Sequence, residues 1–337
     1  MKKINRLFCL LLPVLSLACE NELPFHDSPQ EPRLVMNAFL RTDTARNVVS
    51  LSVLHDSEAV PAGEGTVTVY VGDKPVETAD VRRSSPFAGT VSCTLATPFR
   101  PGDRVRLSAV AEEGRYRADA EVVIPQPIER IMRVDTMRTT LKIGTSMSDC
   151  LRYRITIPDR PGERNYYRLV IEKRTYRTNE EGVTYGPLIE TPEIINQEDV
   201  VLTEGHLTTA DDKEFGAFDM TIPNVRNIFT DSRFADASYT LNVYTAYPGT
   251  LDWSSDSWKY HTRIDAVIRL QSITEAQYRY MRALNCLDSD NYSDTFMEPV
   301  IVPQNVTGGL GFVGASSEQQ VTLRIIDRPP LSFGEPS

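Results

Sequence analysis

Val48-Val49-Ser50-Leu51-Ser52-Val53-Leu54 alternates apolar with small polar residues. A period of two sets Val49, Leu51 and Val53 on one face of an extended strand and Ser50 and Ser52 on the other. The same rhythm runs through Thr66-Val67-Thr68-Val69-Tyr70-Val71 and stops at Gly72-Asp73. Upstream, Leu34–Leu40 reads as a strand; downstream, Val91–Leu95, Val105–Ala111 and Tyr116–Ile124 do the same. Pro101-Gly102 supplies the fixed negative φ and the positive φ of a type II turn. Short alternating strands separated by turn signals predict an Ig-like β-sandwich over residues 33–126, closed by Pro125 and Pro127.

A larger β-rich unit is expected over 127–330, followed by a tail, 331–337. Its strand candidates are Leu151–Ile157, Tyr166–Tyr176, Phe215–Ile222, Tyr239–Ala246, Ala266–Leu270 and Val321–Ile326. The charged middle, Arg177–Gly205, reads as a long loop or hairpin. One segment has a helical period. Thr274 with Gln277 three residues on forms a capping-box pattern, and Tyr278, Met281, Ala283, Leu284 and Leu287 form an apolar stripe that packs on a sheet. The fold class is therefore mainly β with one short helix.

Ahead of these units, Lys2, Lys3 and Arg6 precede an apolar run from Leu7 to Ala18, and Cys19 follows. The run is shorter than the roughly 20 apolar residues that span a bilayer. It has the anatomy of a signal peptide over 1–18. Cys19 is the expected lipid-attachment site, with Leu17 one place later than the usual lipobox places it. A plain secretory signal is the alternative. Residues 19–32, with Pro24, Pro29 and Pro32, read as an extended tether.

The chain has 337 residues and a formal charge of −10, with Lys2, Lys3 and Arg6 among its basic residues. An acidic chain is a poor match for nucleic acid, which needs clustered Lys and Arg. Five cysteines leave Cys93, Cys150 and Cys286 once Cys9 and Cys19 are set aside. An exported chain can carry a disulfide, and Cys150 with Cys286 is the candidate pair; buried free thiols are an equally good reading.

The chemistry-bearing motifs are few. Gly309-Leu310-Gly311-Phe312-Val313-Gly314 matches the spacing of a dinucleotide loop, but Val321-Thr322-Leu323-Arg324-Ile325 then reads as a strand where the motif needs a helix. Gly308, Gly309, Gly311 and Gly314 are therefore assigned to backbone geometry. Asp288–Asp294 lacks the sixth-position glycine of a calcium loop. His26, His55, His206 and His261 are scattered. No catalytic residue, metal ligand or cofactor is assigned. Trp253 and Trp258, flanked by Tyr247 and Tyr260, form a candidate partner or ligand surface, because Trp is favoured at interfaces. Asp43-Thr44-Ala45 and Asp135-Thr136-Met137 fit an O-glycosylation tripeptide.

A set of segments in order resembles a known family. They are Arg33–Leu40, Asn165-Tyr166-Tyr167-Arg168-Leu169, Phe229-Thr230-Asp231, Tyr239-Thr240-Leu241-Asn242-Val243, the helix Ser272–Tyr280, and Glu298-Pro299-Val300 with Asn305–Gly314. Together they resemble the Bacteroidota outer-membrane lipoprotein family catalogued as domain of unknown function 4249. The resemblance implies a lipid-anchored protein of the outer membrane, working beside a TonB-dependent β-barrel receptor in ligand capture or transport; Glu20 and Glu22, close after Cys19, point to the cell-surface face. A surface adhesin or glycan-binding protein with a glycan or peptide ligand is the alternative. A hydrolase built from distant carboxylates is the third reading.

Overall fold

The computed structural model describes residues 31–330 other than 45, 57, 84–89, 206–221, 236, 250–258 and 293–298. The signal segment, Cys19, Trp253, Trp258 and most of the strand expected at Phe215–Ile222 lie outside them. The N-terminal strands are β1 (Arg33–Arg41), β2 (Asn47–His55), β3 (Glu58–Pro61), β4 (Gly65–Val71), β5 (Lys74–Asp80), β6 (Arg82–Arg83), β7 (Val91–Leu95), β8 (Arg104–Ala111) and β9 (Tyr116–Val123). Then come β10 (Arg133–Ile143), β11 (Ser146–Pro158), β12 (Tyr166–Thr178), β13 (Thr184–Glu190), β14 (Ile228–Thr230), β15 (Ser238–Ala246) and β16 (His261–Ile273). Helix α1 (Glu275–Leu287) precedes β17 (Val306–Thr307) and β18 (Leu310–Arg328). The fold is mainly β, with a single α-helix among the described residues.

A 10-stranded sheet runs β13-β12-β16-β18-β1-β2-β7-β6, with β14 and β3 at its side. A 5-stranded sheet (β17-β9-β8-β4-β5) and a 3-stranded one (β10-β11-β15) complete the fold. Burial follows the period read from the sequence. Val49, Leu51 and Val53 are buried, as are Val67 and Val69. Gly102 sits at φ +88°, with the Asp103 N–H donating to the Arg100 carbonyl, as a type II turn requires.

Two cores form. One joins Leu34, Met36, Leu40 and Leu51 of the large sheet to Val67, Leu107 and Ala118 of the 5-stranded sheet, and it also contains Val313 and Ala315. The other joins Leu169, Ile171, Ile268 and Leu270 to Ile155, Leu241 and Val243 of the 3-stranded sheet. On β18, Val313 and Ala315 face the first core, while Val321 and Leu323 pack on the second. All four are odd-numbered along one strand, so both small sheets cover the same face of the large one. The even-numbered Phe312 points to the other face, where Tyr280 of α1 stacks on it at 4.3 Å.

The segment 33–126 is thus not closed by its own residues. β18 runs parallel to β1, pairing Val35 with Leu310 through to Arg41 with Ser316, and pairs antiparallel with β16 on its other edge. The C-terminal strand stitches the sheet across the expected boundary. Its 19 residues exceed the stretch read from sequence, because its first part, rich in Gly and Ser, lacks β-branched patterning.

Helix α1 is capped by Thr274, whose hydroxyl accepts from the Gln277 N–H at 3.1 Å. Its inner face differs from the apolar stripe. Tyr278, Met281 and Ala283 are buried, but so are Gln277 and Asn285, while Leu287 is 44 % exposed. Asn285 is buried because its amide donates to Asn224 at 3.1 Å and its carbonyl oxygen accepts from the Arg226 N–H; a satisfied amide tolerates burial that a helix end does not demand of Leu287.

Candidate functional site

The glycine segment is a packing device. Gly311 has φ +111°, and a Cβ there would collide with the Met36 carbonyl oxygen; one at Gly309 would collide with that of Leu34. Gly314 packs against Gln277 and the Phe39 ring, and Gly308 against the Arg117 carbonyl. Side chains lock the seat: the Phe312 N–H donates to Asn37 Oδ1 at 2.9 Å, and Asn305 bonds both backbone groups of Val313 at 2.8 and 2.7 Å. The segment continues as a strand and opens no helix, so the phosphate-cradling geometry of a dinucleotide loop is not formed here.

Tyr247 and Tyr260 are separated in their packing. The Arg138 guanidinium lies 4.2 Å above the Tyr247 ring, while Tyr260 meets Tyr185 of β13 edge-on at 6.4 Å. No ring contact joins the two among the described residues. Asp43 is committed to an ionic cluster, whereas Asp135, Thr136 and Met137 are exposed along β10.

The candidate Cys150–Cys286 disulfide is corrected by the structure: Cys93, Cys150 and Cys286 are all free thiols. Cys150 is fully buried beside Leu141 and Tyr244, on the 3-stranded sheet. Cys286 is on α1, across the large sheet from it. Burial, with Glu77 nearby, pushes the Cys93 thiol up to about 11.

On the helix side of the large sheet, charged residues from four strands interlock. Arg269 Nη1 lies 2.6 Å from Glu318 and 3.1 Å from Asp43, and its Nη2 lies 3.4 Å from Glu172. Arg174 contacts Glu172 at 2.5 Å, and Arg41 contacts Asp43. Burial works against the Asp43 carboxylate, but the Arg41 hydrogen bond and charge, with Arg269, outweigh it and hold its pKa below the usual value. Three guanidinium groups face three carboxylates, so this cluster is self-neutralised and leaves little field for a ligand.

A second charged constellation carries more arginines than acids among the described residues. A cavity of about 360 Å³ opens between α1, the start of β12, β14 and the turn ending at Gly205. Its lining includes four arginines, Arg164, Arg233, Arg279 and Arg282, against two acids, Glu204 and Glu275. Glu275, Tyr278, Arg279 and Arg282 share one face of α1 because they recur at helical spacing. Asp231 fixes the opposite wall: its Oδ2 accepts from the Asn165 N–H at 2.7 Å and the Asn165 amide at 2.8 Å, tying the 3-10 turn Asp231–Arg233 to the approach of β12.

Within the cavity, Arg279 pairs with Glu275 at 2.5 Å and Arg282 with Glu204 at 3.1 Å. The Tyr278 hydroxyl donates to Glu204 Oε1 at 3.0 Å, and burial together with Glu204 pushes its pKa up. Arg233 donates to the Glu204 backbone carbonyl at 2.5 Å. Arg164 lies 5.9 Å from the Tyr166 ring. Neither Arg233 nor Arg164 has an acidic partner among the described residues. The Thr230 and Ser232 hydroxyls, 2.8 Å apart, lie at the same wall. The sequence reading missed this constellation, because its arginines sit in three distant segments; the one local signal is Glu275 with Arg279 and Arg282 on one helix face. Among the described residues no group of three or more His, Cys, Asp or Glu could hold a metal ion, and no helix is long and apolar enough to cross a membrane.

No curated protein matches the chain. Among solved structures, a DUF4785 family protein from Legionella pneumophila is 9 % identical, with a TM-score of 0.21; the match covers 71 % of this chain and 52 % of that one. The present chain thus spans about half the length of that protein. The model of one family, described as a domain of unknown function, matches residues 20–322, and the chain belongs to that family, DUF4249.

Proposed function

We propose that this chain is a lipid-anchored accessory protein of the outer membrane that captures a ligand beside a TonB-dependent receptor. The signal anatomy ending at Cys19 supports the anchor. The carrying observation on the structural side is the open cavity whose carboxylates are each held by an arginine. Glu204 and Glu275 are engaged by Arg282 and Arg279, which suits a wall that binds more than a pair of groups poised to exchange protons. Helix α1, the starts of β12 and β14 and two turns wall that cavity at the surface, and clefts between elements are common binding sites.

The test has two parts. Cys19→Ala is expected to move the folded protein from the membrane fraction to the soluble one. Native purification from outer membranes is expected to recover a β-barrel partner. Membrane attachment that survives Cys19→Ala, or repeated recovery without a barrel, overturns this reading.

A further inference from the structure

We infer that the arginine-lined cavity is a binding site for a small polar molecule bearing an oxyanion, either a carboxylate or a phosphate ester. This deepens the reading of the chain as a ligand-capturing protein. The lining carries two positive charges more than it carries negative ones, in a chain whose formal charge is −10. A local excess of that sign against the global charge concentrates field where anions enter. The excess resides in Arg164 and Arg233, since Arg279 and Arg282 are matched by Glu275 and Glu204.

Guanidinium groups are suited to this task. Their planar forks donate two parallel hydrogen bonds to a carboxylate or phosphate, and they stay charged at any physiological pH. Arg233 is held by its hydrogen bond to the Glu204 carbonyl, so less side-chain freedom is lost on binding. The Thr230 and Ser232 hydroxyls offer donors and acceptors for the neutral part of the ligand. The cavity volume of about 360 Å³ falls at the lower end of ligand pockets, which fits a molecule of about one sugar ring.

The experiment is calorimetric titration of the full-length protein in detergent with D-galacturonate, D-glucose 6-phosphate and neutral D-galactose. One or both anions are expected to bind, which separates the carboxylate from the phosphate source, and galactose is expected not to. Arg164→Met should weaken binding about 5-fold, and the double change with Arg233→Met more than about 20-fold, with further weakening at high salt. Arg164 makes no ion pair among the described residues, so its single variant reports on binding even if the double variant fails to fold. Absence of anion binding at about 10 mM, equal binding of galactose, or anion binding unchanged in Arg164→Met overturns the inference. The titration needs no barrel partner, so its failure and a failure of the receptor reading are separate results.

Discussion

Arg269 Nη1 lies 2.6 Å from Glu318 Oε1, and both side chains are largely buried, at 14 % and 5 % exposure. The pair joins β16 to β18, and through Asp43 and Glu172 the same guanidinium reaches the loop after β1 and the strand β12. The strand that closes the first core is thereby clamped to the strands of the second. Removing one partner of a buried pair strands the other charge, at a cost of about 3–5 kcal/mol. Arg269→Met is expected to lower unfolding free energy by an amount in that range, measured by urea denaturation. A change below about 1 kcal/mol, the value of an exposed pair, would mean that solvent reaches the cluster.

Acid should loosen the same clamp. The Asp43 pKa is lower in the folded chain than its ordinary 3.8. Its contribution to stability is therefore complete above the unfolded value and is lost as pH falls through the folded one. Asp43→Asn is expected to flatten the stability profile below about pH 4, in a series of urea titrations.

Asp199 behaves in the opposite sense. Burial raises its pKa, although the Val201, Leu202 and Asn242 N–H groups donate to it at 2.9, 2.9 and 2.7 Å. A raised carboxyl pKa opposes folding, in full above the folded value, and this group's term improves as pH falls from its folded pKa to the lower unfolded one. Its hydrogen bonds nevertheless organise the turn bearing Glu204. Asp199→Ala leaves two buried donors and one partly buried donor unpaired, at about 1–3 kcal/mol for each buried one. A drop of at least about 2 kcal/mol is expected in denaturant unfolding.

Glycines should separate by surroundings. Gly311→Ala sets a Cβ against the Met36 carbonyl and forbids its φ of +111°, whereas Gly182→Ala, at φ +81°, meets no atom within 4 Å. Gly182→Ala is expected to cost about 1 kcal/mol. Gly311→Ala should cost several times more and lower hydrogen-exchange protection at the β1 and β18 amides that bond across their parallel pairing, while the β1–β2 amides stay protected.

Alkylation under native conditions reports on the thiols. Cys93 and Cys150 are buried and their pKa values are raised, chiefly by burial. Cys286, on the helix and partly exposed, is expected to react first with iodoacetamide at pH 8, since the thiolate is the nucleophile. Intact mass without reductant should show three free thiols besides Cys9 and Cys19. A 150–286 linked peptide in a non-reducing digest would contradict this arrangement.

Much of the architecture is readable from local pattern. Val49, Leu51 and Val53 name the buried face of β2, Pro101-Gly102 names the turn before β8, and Thr274 with Gln277 names the start of α1. Other elements are not. β13 is exposed along its whole length, so no face is marked by burial and no alternation results. β18 carries Gly and Ser in its first part because it approaches another backbone closely, which masks its strand character. The cavity was hidden for a different reason: Arg164, Arg233, Arg279 and Arg282 look like ordinary solvated charges until the fold gathers them, two of them without an acidic partner among the described residues.

The amino-acid sequence alone determined the β class, the faces of its strands, the capped helix and the family. Periodicity and capping are local, and a few neighbouring residues encode them. Only the tertiary structure decided that the last strand lies beside the first, that two small sheets share one face of a larger one, and that four arginines and two acids line one cavity. An unpaired strand edge presents the same row of N–H and C=O groups to any other. Its partner is therefore selected by long-range packing, here by glycines that allow β18 to reach the Met36 backbone.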